Sequence, residues 1–191
     1  MYQVYEILDS MQDCNHSVIF YEEPEYGRMV EYRFIKTGLL RGESCIYATP
    51  EDDIDIIESG MVDFGIDVEG YKKMKMLHLY KVTDPQGDPS GLLHGIEKIS
   101  ERIIAESRPP FRVVGRFIKN FEEEVGMRAN MLIERSLHST FAKFQGSFMC
   151  PYPINDIHEA MEGAWMQNHL RNHHTAIFVF KDGHGLALNL P

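Results

Sequence analysis

Six short apolar runs punctuate this chain, each separated from the next by a segment long enough for a helix: SVIFY, SCIYAT, MLHLYKV, RVVGRFI, SFMCPY and TAIFVF. Their β-branched and aromatic content predicts strands. The segments between them, near 27–41, 53–64, 91–106, 122–144 and 154–172, carry apolar residues three and four apart, as Ile96, Ile99, Ile103 and Ile104 do, and predict helices. Parallel strands need crossovers of about this length, so the alternation predicts an α/β fold with a mainly parallel central sheet and helices on both faces. Gly38 and Gly42 are expected to close the first of these helices, DPQGDPSG makes a turn, and RPP ends the third. In AIFVFKDGHGLALNL, Asp182-Gly183 can supply a tight turn, which predicts a C-terminal antiparallel hairpin. With no low-complexity linker or internal repeat in 191 residues, one domain spanning 1–191 is expected.

Charge and composition remove several function classes. A formal net charge of −10 opposes binding to phosphate backbones, which rewards clustered Lys and Arg, so no direct nucleic-acid contact is expected. The opening MYQVYEILDSMQDCNH has no basic leader, and no later stretch reaches membrane-spanning length; a cytoplasmic protein without membrane contact is expected. Cys14, Cys45 and Cys150 are far apart and lack paired spacing, so reduced thiols are expected.

The turn after the first strand, YEEPEYG, decides another class. A phosphate-binding loop needs glycine flexibility, clustered backbone N–H groups and a Lys. Here Glu22, Glu23 and Glu25 would repel a triphosphate and Pro24 removes a donor, so ATP hydrolysis of the P-loop kind is not expected. The acidic turn reads as solvated surface at a helix N-terminus or, alternatively, as a lid over a cleft.

In open parallel sheets ligands bind beyond the carboxyl ends of the strands. Tyr21–Glu23, Thr49–Glu51, Arg116 and Cys150–Tyr152 are expected at that edge. His16 and His173, each preceding a strand, are expected at the opposite edge, and a five-residue strand spans about 17 Å, so the two groups should not meet on one ligand atom. MCPYP holds the Cys150 thiol beside two prolines and adds the Tyr152 hydroxyl; the thiol reads as core packing, ligand contact or a nucleophile. His169 and His173, four apart on one helix, could share a metal, with His158, His184 and Cys150 as undiagnostic further donors, but His near a helix C-terminus more commonly complements terminal carbonyls. Met127 and Met131 beside Leu132 read as core filling or as an adaptable apolar pocket.

The stretch HSVIFYEEPEYGRMVEYRFIKTGLLRGESCIYATPED, followed by FRVVGRFI, IERSL and MCPYPINDIHEAMEGAWMQNHLRNHH, resembles the MEDS domain, the methanogen/methylotroph sensory domain of the DcmR regulator, from about His16 to Phe180. The resemblance implies a scaffold of the RecA/KaiC kind without a P-loop, a role in sensing small hydrocarbon-derived compounds, and no enzymatic activity. The family-like positions are His16, Tyr21, Glu134, Cys150, Tyr152 and His173. Where such domains tend to carry Gly-Glu after the fourth strand, this chain has Gly115-Arg116, which implies a preference for an oxygenated or carboxylated ligand. No basic helix-turn-helix unit is left over, so the output is expected to pass to a signalling or transcription-regulatory protein in trans, with a homo-oligomer possible.

Together these readings predict a non-enzymatic sensor in which Tyr21, Arg116, Cys150 and Tyr152 contact a small organic ligand, while His16, Glu134 and His173 serve a second site or the architecture. No cofactor or metal is expected. The competing classes are a cysteine- or metal-dependent enzyme and a degenerate RecA-like assembly scaffold.

Overall fold

The computed structural model describes residues 1–11, 14–50, 54–155, 157 and 162–191. Its centre is a seven-stranded sheet built from β1 (His16–Tyr21), β2 (Ser44–Thr49), β3 (Leu77–Lys81), β4 (Phe111–Gly115), β5 (Gly146–Pro153), β6 (Thr175–Val179) and β7 (Gly185–Asn189). The strand order is β3-β2-β4-β5-β1-β6-β7. All neighbours run parallel except β6 and β7, which form the antiparallel pair at the edge. Gly183, with φ of 76°, supplies the left-handed residue of that hairpin.

Among the described residues seven α-helices cover the sheet: α1 (Tyr2–Ser10), α2 (Pro24–Arg41), α3 (Ile54–Asp63), α4 (Val68–Lys73), α5 (Leu92–Ala105), α6 (Glu124–Thr140) and α7 (Glu162–Asn172). Strand parity sorts the core into two layers. On one face Ile19, Tyr21, Cys45, Tyr47, Val114 and Met149 meet α1 to α4 through Leu8, Phe34, Ile35, Ile57 and Val68. On the other, Val18, Phe20, Ile46, Val113, Phe148 and Cys150 meet α5 to α7 through Ile96, Ile133 and Trp165. Burying each such large apolar side chain contributes about 1.5–3 kcal/mol, so both layers are substantial cores. Among the described residues no helix is long and apolar enough to cross a membrane.

Several boundaries differ from those the sequence predicts, for physical reasons. Gly42, at φ 82°, caps α2 through its backbone N–H, but Gly38 lies inside that helix. A Cβ at Gly38 would stand 2.5 Å from Arg112 Cδ, so glycine there answers a close approach and does not end the helix. The last long helix is described over Glu162–Asn172; Pro153 still belongs to β5, and Ile154 and Asn155 follow it as a bend and a turn. α1 and α4, nine and six residues long, are additional elements that close one face. The expected positions Glu51, Asp53 and His158 lie outside the described residues.

At the end of β1 the chain turns into α2 through Glu22 and Glu23 alone, with Pro24 in the first turn of the helix. Glu22 Oε2 accepts from the Lys181 backbone N–H at 2.6 Å, and the Glu22 carbonyl accepts from Asn155 Nδ2 at 2.9 Å. The acidic turn is thus a two-residue corner tied to neighbouring chain ends, and a loop long enough to wrap a phosphate is replaced by these side-chain ties.

Candidate functional site

Two sets of buried polar side chains lie back to back across the sheet. On the α2 face, β4 and β2 present Arg112 and Tyr47, which alternation places toward the helix. Arg112 makes a two-pronged pair with Glu43, Nε to Oε2 at 2.6 Å and Nη2 to Oε1 at 3.0 Å, and donates from Nη1 to the Phe34 carbonyl at 3.3 Å. Just past β4, the Arg116 guanidinium donates to Glu31 Oε1, and the Tyr47 hydroxyl donates to Glu31 Oε2. Arg116 also lies 5.6 Å from the centre of the Tyr21 ring. Each buried carboxylate on this face therefore meets a permanent cation.

The α6 face is organised differently. Glu134, inside α6, is 1% exposed, and its neighbours are imidazoles, a thiol and a phenol. Glu134 Oε2 lies 3.6 Å from His16 Nε2, 3.2 Å from His173 Nε2 and 3.6 Å from Cys150 Sγ. His16 Nε2 is also 3.5 Å from Cys150 Sγ. The other carboxylate oxygen, Oε1, accepts from the Tyr152 hydroxyl. Tyr152 Oη in turn accepts from Asn130 Nδ2 at 2.8 Å, and Asn130 Oδ1 accepts from Trp165 Nε1 at 2.8 Å. This chain of donors runs from α7 through α6 to the sheet and fixes the carboxylate plane.

Helix α7 sets the imidazoles. His173 Nδ1 lies 2.7 Å from the His169 carbonyl and His169 Nδ1 lies 2.8 Å from the Trp165 carbonyl. A carbonyl oxygen can only accept, so both rings carry a proton on Nδ1. His173 Nε2 faces the cluster at 3.2 Å from Glu134 Oε2. His16 is held from the sheet side, its ring stacked on Phe141 at 5.0 Å and 4.0 Å from that of His173.

Burial dominates the proton affinities. It pushes His16 down to about 3, with His173 adding to the effect, and His169 down to about 4, so both are neutral near pH 7. Burial also drives the Cys150 thiol well above its ordinary value, and the Glu134 charge drives it further. Burial acts against ionised Glu134, but the surrounding imidazoles, His173 first, outweigh it and hold the carboxyl below its usual range.

This arrangement corrects the expected geography. Tyr152 is the penultimate residue of β5 and lies near the expected edge, but β5 runs on to Pro153, so Cys150 is mid-strand. His16 is the first residue of β1 and is aligned with Phe148, only two residues before Cys150 on the same face. The histidines expected at the far edge therefore meet the thiol directly, and Glu134 reaches between them from α6. Conversely, the four side chains expected to share one cleft are divided: Tyr21 and Arg116 lie on the α2 face, Cys150 and Tyr152 on the α6 face. His169 and His173 are stacked at 5.8 Å as their spacing predicts, yet only His173 is within ion-pair distance of Glu134. Asn130 and Trp165 were not distinguishable as site residues, although Asn130 and Glu134, polar and four apart on a helix face shared with Met127, were a readable signal.

The fold is similar to that of a KaiC-like protein from the hyperthermophilic archaeon Pyrococcus horikoshii OT3. The crystal structure of that protein aligns with a TM-score of 0.60 and 13% identity over 93% of this chain and 80% of that one. A search of curated proteins found no match. The family model described as MEthanogen/methylotroph, DcmR Sensory domain matches residues 15–174, a span that begins just before His16 and ends just after His173 and so contains the whole Glu134 cluster. The chain belongs to the MEDS family of sensory domains.

Proposed function

We propose that this chain is a non-enzymatic sensory module whose responsive centre is the Glu134 cluster, and that its stimulus is a small organic, hydrocarbon-derived molecule. Membership of a sensory family supports the general role. The observation that carries the assignment to this centre is the environment of Glu134: a fully buried carboxylate surrounded by imidazoles, a thiol and a phenol and held in orientation by Tyr152, Asn130 and Trp165. Buried polar groups of this kind cost stability that an apolar core would not, and such costs concentrate at functional sites. The signal passes to a signalling or transcription-regulatory protein in trans, through displacement of α6 or α7.

A second reading, a cysteine enzyme, has one observation in its favour, the 3.5 Å approach of Cys150 to His16. It is opposed by the burial of Cys150 and by the upward push on its thiol, both of which remove the thiolate a nucleophile needs. The test is a thermal-shift and calorimetric panel of simple alcohols, halides and carboxylates against wild type, Glu134→Gln and Arg116→Met. Sensing at the α6 face requires a response that disappears in Glu134→Gln and survives in Arg116→Met. The opposite pattern would move the ligand to the α2 face, and multiple turnover of any compound would replace the sensor with an enzyme.

A further inference from the structure

His16, Glu134, Cys150 and His173 converge from three directions: two strands supply His16 and Cys150, α6 supplies Glu134, and the end of α7 carries the chain to His173. One donor atom from each lies within 4.8 Å of every other, and all four residues are buried. The distances have a specific meaning. Around a tetrahedral zinc ion, nitrogen and oxygen donors at about 2.0–2.1 Å and sulfur at about 2.3 Å stand about 3.3–3.6 Å from one another. Four of the six separations here are 3.2, 3.5, 3.6 and 3.6 Å.

The hydrogen bonds around the cluster also point to a missing positive charge. The His169 carbonyl commits His173 Nδ1 to a proton, so Nε2 can face the Glu134 carboxylate at 3.2 Å only with a second proton or a cation between them. Two acceptors face each other at that distance only when a proton or a cation lies between them. A carbonyl bond on one ring nitrogen is also the usual means of presenting the other to a metal, and a carboxylate ligand oriented by hydrogen bonds on its free oxygen, as Tyr152 orients Glu134, is its counterpart.

We propose that these four side chains form a closed tetrahedral site for one divalent cation of the zinc type. The charges balance: the Cys150 thiol releases its proton to solvent on binding, and one thiolate, one carboxylate and two neutral imidazoles then neutralise a dication inside the core. The mixed sulfur, nitrogen and oxygen donor set suits Zn²⁺ and excludes hard cations such as Mg²⁺ and Ca²⁺. With four protein donors the site has no open position, which separates it from the three-donor zinc sites that activate water. The proposal goes beyond the sensory reading and stands without it.

The test uses tag-free, full-length protein. Elemental analysis after expression in zinc-supplemented medium is expected to return about one equivalent of zinc. After chelation, Co²⁺ titration is expected to produce the intense visible bands of a tetrahedral site together with a thiolate-to-cobalt charge-transfer band in the ultraviolet. Cys150→Ser abolishes the charge-transfer band, while Cys14→Ser and Cys45→Ser, whose thiols lie outside the cluster, keep it. Tyr152→Phe, which removes only the orienting hydroxyl, weakens zinc binding by about 10- to 100-fold. Folded wild type that takes up neither zinc nor cobalt overturns the proposal and leaves a shared proton between Glu134 and His173. Because the wild-type cobalt spectrum alone decides whether a thiolate is bound, a Cys150→Ser variant that fails to fold does not protect it. Ligand response without metal would sustain the sensory reading while removing this one.

Discussion

The two faces of the sheet solve the problem of a buried carboxylate in opposite ways. On the α2 face Glu43 and Glu31 are met by Arg112 and Arg116, whose charge does not titrate, and the result is a rigid, permanently compensated layer. On the α6 face Glu134 is met by imidazoles, a thiol and a phenol, none of which carries a fixed charge. The first arrangement holds a structure in one state; the second can exist in more than one. We therefore attach the proposed sensory role to the α6 face; on the other, the Arg116 guanidinium expected as a ligand anchor is paired with Glu31.

The contrast can be broken most forcefully at Arg112. Arg112→Met leaves Glu43 buried without its partner and should cost about 3–5 kcal/mol in chemical denaturation, whether or not metal is present. A loss below about 1 kcal/mol would show that the α2 face is no more rigidly compensated than the other.

Acid should distinguish the faces next. His16 and His169 have folded-state values depressed to about 3 and about 4 against an ordinary 6.5. The unfolded chain therefore binds more protons between those values, and stability is present above pH 6.5 and lost as pH falls. For metal-free protein, two such groups give a slope of about 2–3 kcal/mol per pH unit between roughly pH 6 and 4. Urea titrations at a series of pH values measure it, and a flat profile would contradict neutral imidazoles in the α6 layer.

At Gly38 the expected effect is smaller. Gly38→Ala forces the Arg112 side chain aside, since the added Cβ would lie 2.5 Å from Cδ and 2.8 Å from Nε, and should cost about 1–3 kcal/mol in melting experiments. Equal stability would mean that Arg112 has freedom its two-pronged pair does not suggest.

Glu134→Gln should change folding free energy by less than about 1 kcal/mol, because the amide oxygen still accepts from Tyr152 and the amide N–H₂ can face the His173 lone pair. Metal or ligand response should nevertheless disappear. A loss comparable to that of Arg112→Met would assign Glu134 to architecture. The smallest effect is expected from MgATP: the two-residue acidic corner at Glu22 and Glu23 has neither glycine cradle nor lysine, so calorimetry should register no tight binding. Micromolar affinity would reverse that reading.

Much of the scaffold was legible in the sequence, because strand and helix periods are local properties. The run SCIYAT is β2 residue for residue, and the hairpin at Asp182-Gly183 forms where the turn chemistry places it. The four-residue spacing of His169 and His173 correctly brought their rings together, although His173 lies one residue past the end of α7. What was not legible was the meeting of His16, Glu134, Cys150 and His173, which are separated by more than a hundred residues in places and are joined only by strand order. Placing β1 beside both β5 and β6 requires knowing the topology, and β5 extends one residue past each end of SFMCPY, which leaves Cys150 in the strand interior. Parity offered a partial guide: His16, Val18 and Phe20 alternate onto the same face as Phe148, Cys150 and Tyr152. Short α1 and α4 were missed because nine and six residues carry too little period to stand out.

Helix α6 has a mechanical property that follows from its length. Seventeen residues make a rod of about 25 Å. Its inner side carries Asn130 and Glu134, while Val125 and Leu132 on its outer side face solvent. The rod is fastened to α7 by Arg135, whose guanidinium donates to Asn168 at 2.7 Å, and by Asn168, which reaches the Met131 carbonyl at 3.5 Å. A stiff beam pinned along one flank does not absorb a push at its middle; it pivots. A change of occupant beside Glu134 would thus reach the exposed apolar residues as a tilt, and the torque, not any chemical relay, would be what a docking protein reads.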